Sequence, residues 1–192
     1  GMGLDKRIGS RFLRAGPAYG GSCFPKDTKA IAVTADLFKT NLSIIKSVIN
    51  SNRNRRMLLI NRIGNILSNK FKNKKITILG VTFKPNTDDM RESTSLLMIP
   101  FLNKKGAKIT YYDPSGEKDE FTKLKNVLFI NDISEACRNA DLIIIHTEWD
   151  EFKTIDFKKI CKNKKLKIYD MRNLYSSKKM KKSGFHYYSI GR

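Results

Sequence analysis

In the stretch 20–27, GGSCFPKD, a single cysteine stands between a pair of glycines and the opening of an amphipathic segment. Those are surroundings that suit an attacking thiolate. Glycine backbone admits angles closed to other residues and lets a ligand approach the main chain. Pro25 suits the first turn of a helix, and Ala30, Ile31, Val33, Ala35, Leu37 and Phe38 continue an apolar pattern through 27–38. Cys23 is therefore predicted at a helix N-terminus, where unpaired N–H groups and the charge of Lys26 favour the thiolate and draw the thiol pKa down. Asp27, one turn further on, is placed to hold or activate a water. The competing assignment is a buried structural cysteine beside a tight turn, the commoner fate of a free cysteine.

A second chemistry-bearing stretch is GVTFKPNTDDMRES, 80–93, which follows a short apolar run. In a doubly wound sheet such a loop lies beyond the carboxyl end of a strand, where ligands bind. Lys84 and Arg91 bracket it, one a point charge and the other a fork, and both suit a pyrophosphate; solvated loop cations are the alternative. The loop lacks GxGxxG. Asp113, after the next apolar run, sits where dinucleotide sites place a ribose-binding carboxylate, or it is simply the turn residue before Pro114. Cys23, Cys137 and Cys161 lie far apart with no CxxC pair, so neither a disulfide framework nor a metal site is indicated. Cys137 and Cys161 fall in predicted helices and are assigned to packing, and a reducing cytoplasmic setting fits.

With 192 residues the chain has room for one full domain and an appendage. Its 38 Lys+Arg against 18 Asp+Glu give a formal charge of +20, which would suit a nucleic acid or an anionic membrane. The lysines are scattered through loops and helix faces, no helix-turn-helix, RNP or zinc spacing accompanies them, and no apolar stretch has the roughly 20 residues of a membrane span. Neither partner is expected, and the lysine run 178–182 reads as a solvated segment.

Two kinds of element must position these groups. From Asn41 to about Phe71 apolar residues recur at helical spacing, as one long helix or as two separated at Asn50–Arg56 (NSNRNRR), which contains no apolar residue. A continuous helix of about 26 residues would reach about 40 Å, too long for a small core to cover, and so invites a second copy of the chain. From Lys75 short apolar runs alternate with amphipathic ones, the rhythm of a parallel sheet covered by helices. Strands are predicted at 76–81, 108–112, 127–130, 141–146 and 167–169, with a further one at 185–190. Helices are predicted at 94–103 (capped by Ser93), 134–139 and 156–162. The fold class is α/β, with a helical dimerisation segment over 1–72 and a Rossmann-like, doubly wound parallel sheet over 73–192.

GGSCFPKD, then GVTFKPNTDDMRES, YYDP and ADLIIIHTEWDEF in that order, resemble the nucleotide-sugar 6-dehydrogenases, the UDP-glucose/GDP-mannose dehydrogenase family, over about 3–173. The resemblance implies an NAD-dependent oxidation of a sugar C6 alcohol to a carboxylate, UDP-glucose to UDP-glucuronate, with GDP-mannose as the rival substrate. It implies Cys23 as the nucleophile that forms a thiohemiacetal and then a thioester, and Asp27 as the residue that assists the hydrolytic water. Phe12, Leu13, Arg14, Ala15, Gly16 and Gly20 match its substrate-facing segment. Arg7 would reach the neighbouring subunit's substrate, Phe83, Lys84 and Arg172 match its nucleotide-sugar site, and Lys26 and Arg91 match positions that meet NAD. The family's N-terminal NAD domain and its other catalytic residues precede the segment matched by Gly1. A fragment that turns over nothing by itself is therefore expected. A basic nucleotide- or nucleic-acid-binding module is the reading from another class.

Overall fold

The computed structural model describes residues 1–161, 163 and 165–191, without the side chains of Arg11 and Phe12. After two short 3₁₀ turns, Met2–Leu4 and Ser10–Leu13, the chain forms α1 (Cys23–Leu37) and α2 (Ser43–Ile66). The sheet elements follow: β1 (Lys75–Leu79), α3 (Ser95–Lys104), β2 (Lys108–Tyr112), α4 (Asp119–Thr122), β3 (Val127–Phe129) and α5 (Ile133–Cys137). The second half holds β4 (Leu142–Ile145), a 3₁₀ turn at Asp150–Thr154, α6 (Phe157–Ile160), β5 (Lys167–Asp170), α7 (Ser177–Lys182) and β6 (His186–Ser189).

All six strands pair in parallel in the order β3-β2-β1-β4-β5-β6, the strand order of a doubly wound nucleotide-binding sheet. β4 reads as an unbroken apolar run because it is covered on both faces. In β4, Leu142 and Ile144 pack on one side with α2 and α3, while Ile143 and Ile145 pack on the other with Cys137, Phe152 and Phe157. None of the four retains accessible surface.

α2 is one continuous helix of 24 residues, about 36 Å long. The polar stretch Asn50–Arg56 lies inside it, so the alternative of two helices is corrected. Leu59, Ile60, Ile63 and Ile66 fasten its second half to the sheet. Its first half projects with α1, and the two leave Ile31, Val33, Leu37, Phe38, Ile44 and Val48 exposed.

Of three local expectations, two hold and one is corrected. The run 178–182 lies in α7, capped by the Ser176 hydroxyl and anchored by Met180, and its four lysines are exposed, as a solvated segment requires. Ser93 caps the start of α3, its hydroxyl accepting from Ser95 N at 3.3 Å, and the same hydroxyl donates to the Val81 carbonyl at 2.7 Å and ties the loop to the strand end. Cys161 stands just beyond α6 in extended backbone, because the helix closes at Ile160. Among the described residues no helix is long and apolar enough to cross a membrane.

Candidate functional site

Parallel pairing sends the ends of β1, β4 and β5 to the same edge of the sheet. The loops that leave there bring Phe83 and Lys84, then His146 and Glu148, then Arg172 into one neighbourhood. The α1 end of the helical unit closes over it. Gly21 has φ +79°, and a Cβ on it would lie 2.6 Å from the Phe83 ring, so only glycine lets the turn before α1 rest on that side chain.

Arg14, Gly16, Gly20, Phe83, Lys84 and Arg172 line a single cavity of about 900 Å³. The cavity also takes in Tyr19, Phe24, Asn52, Arg55 and Glu148, which sequence reasoning did not single out. Four cations against one carboxylate make it a place for a polyanion. Arg172 is the most constrained of them. Its Nε donates to the His146 carbonyl at 2.9 Å and its Nη2 to the Phe83 carbonyl at 3.1 Å. Glu148 Oε2 lies 2.7 Å from the same Nε, yet no donor is aligned with it, because the Nε hydrogen is spent on His146; the pair is one of charge. Burial lowers the Arg172 pKa, and Glu148 and Asp170 work against that shift. Nη1 is directed at Gly16, where a Cβ would lie 2.5 Å away.

Cys23 is the first residue of α1 and is exposed, with its sulfur 3.6 Å from the Ser22 hydroxyl. It opens onto a groove of about 570 Å³ shared with Asp27, Thr28, Ile31 and Thr34. Phe24 lines both this groove and the cationic cavity. The thiol and the cations are thus neighbours across one ring. Asp27 Oδ1 lies 3.1 Å from Lys26 Nζ, both in solvent. The other cysteines differ: burial pushes Cys161 up to about 11 and raises Cys137 further.

Lys26 and Arg91 come together in a third groove of about 580 Å³, with Lys29, Glu92, Leu96 and Leu97. Arg91 is forked onto Asp89, at 2.9 Å from Nε and 2.8 Å from Nη2, which raises the arginine pKa and lowers that of the carboxylate.

The structure does not gather every predicted residue. Arg7 is exposed and pairs with Asp5 at 2.7 Å, and Leu13 and Ala15 line none of these spaces. The side chain of Phe12 lies outside the described residues. Asp113 has no accessible surface: Oδ2 accepts from Val81 N at 2.7 Å and Thr82 N at 3.3 Å, and Oδ1 from Ser115 N at 3.0 Å. It holds the loop that carries Phe83 and Lys84, so the turn assignment stands and the ribose assignment falls. His146 is buried, and desolvation together with the Arg172 charge takes its pKa down to about 3, so it stays neutral and exchanges no proton near pH 7.

Two segments match one family. Residues 77–177 match the UDP binding domain of the UDP-glucose/GDP-mannose dehydrogenase family, and residues 1–54 match its central domain. The chain is 41% identical to a UDP-glucose 6-dehydrogenase of Rhizobium meliloti, over 100% of this chain and 44% of that protein. It is 40% identical to that of Rickettsia felis, over 100% and 43%. The chain therefore spans less than half the length of the curated relatives it matches. A UDP-glucose dehydrogenase from Pyrobaculum islandicum superposes with a TM-score of 0.79 at 28% identity, covering 98% of this chain and 41% of the other. A GDP-mannose dehydrogenase shares the fold with a TM-score of 0.74 at 23% identity, over 97% and 42%.

Proposed function

The chain belongs to the UDP-glucose/GDP-mannose dehydrogenase family, and from that premise we propose that it is the part of a UDP-glucose 6-dehydrogenase that holds the nucleotide sugar and presents the thiol of Cys23 to C6. The observation that carries this reading is the adjacency of an exposed thiol at a helix N-terminus to a glycine-lined cationic cavity, with Phe24 common to both. Arg172 and Lys84 neutralise the diphosphate, Arg172 with its Nη1 beside Gly16 in the cavity wall. A UDP moiety anchored there leaves its sugar to pass over Phe24 toward Cys23.

The alcohol carbon gives up a hydride and its hydroxyl a proton, leaving an aldehyde. The thiolate adds to that carbonyl and forms a thiohemiacetal, and loss of a second hydride gives the thioester. Water attacks, the C–S bond breaks, and the carboxylate and free thiol result. A thiolate suits both ends of this sequence, since it adds readily to an aldehyde and leaves readily from an acyl group. Asp27, one turn along the same groove, orients the water. NAD supplies the hydride acceptance, two molecules for each alcohol taken to the acid. Lys26 and Arg91 would give their groove the positive charge that the pyrophosphate side of NAD needs.

The division near residue 72 into a helical dimerisation unit and a UDP-binding sheet is part of this reading, supported by the two matched ranges. So is a homodimer formed through α1 and α2, supported by their exposed apolar face. A cytoplasmic setting agrees with a nucleophilic free thiol. Calorimetric titration of the chain with UDP-glucose and GDP-mannose tests the assignment: preferred binding of UDP-glucose is expected, and preferred GDP-mannose binding would reverse it. Affinity for nucleic acid that falls steeply with salt would instead favour the basic-module reading.

A further inference from the structure

The polar stretch that interrupts the apolar pattern of α2 is spent on one partner, the segment that leads to Cys23. Asn52 brackets Tyr19: its Oδ1 accepts from Tyr19 N at 3.0 Å and its Nδ2 donates to Tyr19 O at 3.1 Å. Arg55 Nη2 donates to the Gly16 carbonyl at 3.0 Å. One turn after Asn52, Arg56 spreads its guanidinium over two segments at once. Nη2 donates to the carbonyls of Tyr19 at 3.1 Å and Glu92 at 2.9 Å, and Nη1 donates to Glu92 Oε2 at 2.9 Å.

Glu92 is in turn held from α1, where Lys29 donates to its other oxygen at 2.8 Å. The two segments then meet directly. Gly21 N donates to the Arg91 carbonyl at 2.8 Å, and a Cβ on Gly20 would lie 2.7 Å from the Glu92 carbonyl. Arg56 is 11% exposed. A planar fork that satisfies two carbonyls and a carboxylate fixes the register of the parts it joins, whereas a lysine offers one point charge and no such geometry.

We propose that Arg56 is a positioning residue for the oxidation: it locks the turn 20–23 against the loop 80–93, and so sets the thiol relative to Phe83 and Lys84. This rests on the assignment of Cys23 as nucleophile and of the cationic cavity as the nucleotide-sugar site. Arg56 lines neither the cavity nor the groove of Cys23; it does line the groove of Lys26 and Arg91, so its effect on the thiol is read without NAD, where it passes through the turn that follows Tyr19.

The test measures alkylation of Cys23 by iodoacetamide in the 192-residue chain, with UDP, with UDP-glucose and with neither, alongside the UDP dissociation constant and the thermal midpoint. In the unaltered chain, UDP-glucose at ten times its dissociation constant slows labelling about elevenfold, and UDP, which lacks the sugar, slows it little. In Arg56→Lys the UDP dissociation constant stays within about threefold while protection by UDP-glucose drops below about twofold, because the cavity survives and the turn is released. Glu92→Gln keeps the carbonyl and loses the carboxylate, and is expected to lie between the two. Absence of UDP binding or of protection in the unaltered chain overturns the site assignment, and the proposal with it. Full protection in Arg56→Lys, or in Glu92→Gln should the first variant not fold, overturns the role of Arg56 and leaves the site assignment standing. Parallel loss of UDP binding and of the thermal midpoint in Arg56→Lys makes the residue a general stabiliser and overturns the proposal as well.

Discussion

Replacing Asp113 separates a residue that builds the site from one that binds in it. Both of its oxygens act as acceptors, Oδ2 for Val81 N and Thr82 N, Oδ1 for Ser115 N and the Ser115 hydroxyl. In Asp113→Asn the amide nitrogen must face one of these pairs. The Ser115 side is the less costly, since the hydroxyl can turn and accept, but Ser115 N is then left facing a donor. One lost bond to a charged acceptor costs about 2 kcal/mol. Asp113→Ala strands the buried Val81 amide too, for about 4 kcal/mol in total, the longer 3.3 Å bond from Thr82 N adding little. Against a typical stability of about 5–15 kcal/mol both variants fold. At about 2–4 °C for each kcal/mol in a chain of this size, Asn lowers the thermal midpoint by about 4–8 °C and Ala by about twice that. The assay is thermal unfolding followed by circular dichroism, run beside a UDP titration. Affinity should fall in step with stability, because the loop bearing Phe83 and Lys84 loosens. An Asn variant with an unchanged midpoint and weakened UDP binding would show Asp113 to be a ligand group, and would refute the reasoning.

Other expectations are open to direct measurement. At pH 8 iodoacetamide should modify Cys23 alone in the folded chain, since Cys161 is pushed up to about 11 and Cys137 is buried; comparable mass-spectrometric labelling of either would contradict the burial seen here. His146 should make the fold acid-sensitive below pH 6.5: its folded pKa, about 3, lies under the unfolded value of about 6.5, so the unfolded state takes up the proton first and stability falls as pH drops between the two. About 2 kcal/mol should be lost from pH 7 to pH 5 on this account, and a His146→Gln variant with the same pH slope in denaturant titrations would remove His146 as its source. Phe38→Asp combined with Ile44→Asp should convert the expected dimer to a monomer in sedimentation velocity, with the thermal midpoint of the sheet little changed; an unaltered sedimentation coefficient would move the interface elsewhere.

What could be seen in the chain's letters follows the physics that made it visible. β4 announces itself because a strand buried on both faces carries no polar interruption, and β1 is visible through Ile76, Ile78 and Leu79 despite the buried Thr77. α4 and α7 escape notice: a helix of four or six residues has too few apolar positions to show a period and is held by one buried side chain, Phe121 or Met180. Of the cavity, Lys84 was legible as a cation in a loop beyond a strand end, whereas Gly16 and Arg172 were singled out by the family resemblance. Glu148 and Arg55 were not, because a carboxylate beside a buried arginine and an arginine inside a polar helical stretch look like ordinary surface until the fold brings them to the strand ends.

The same stretch shows where periodicity misleads. Seven polar residues in a row, Asn50–Arg56, argue for a bend if a helix is taken to be stabilised only by its apolar face. Here the backbone stays helical, and the side chains at 52, 55 and 56 bond to carbonyls and an amide some 33 to 39 residues away in sequence. Bonds of that separation leave no periodic trace. Their cost is that all the partners but the Glu92 carboxylate are main-chain groups with a fixed direction, so a substitution that keeps the charge but not the fork, Arg56→Lys, should disturb the thiol turn more than one that shortens an exposed lysine. A helix can thus be held at its far end by packing on the sheet and, in its middle, act as the ruler that places a reactive group.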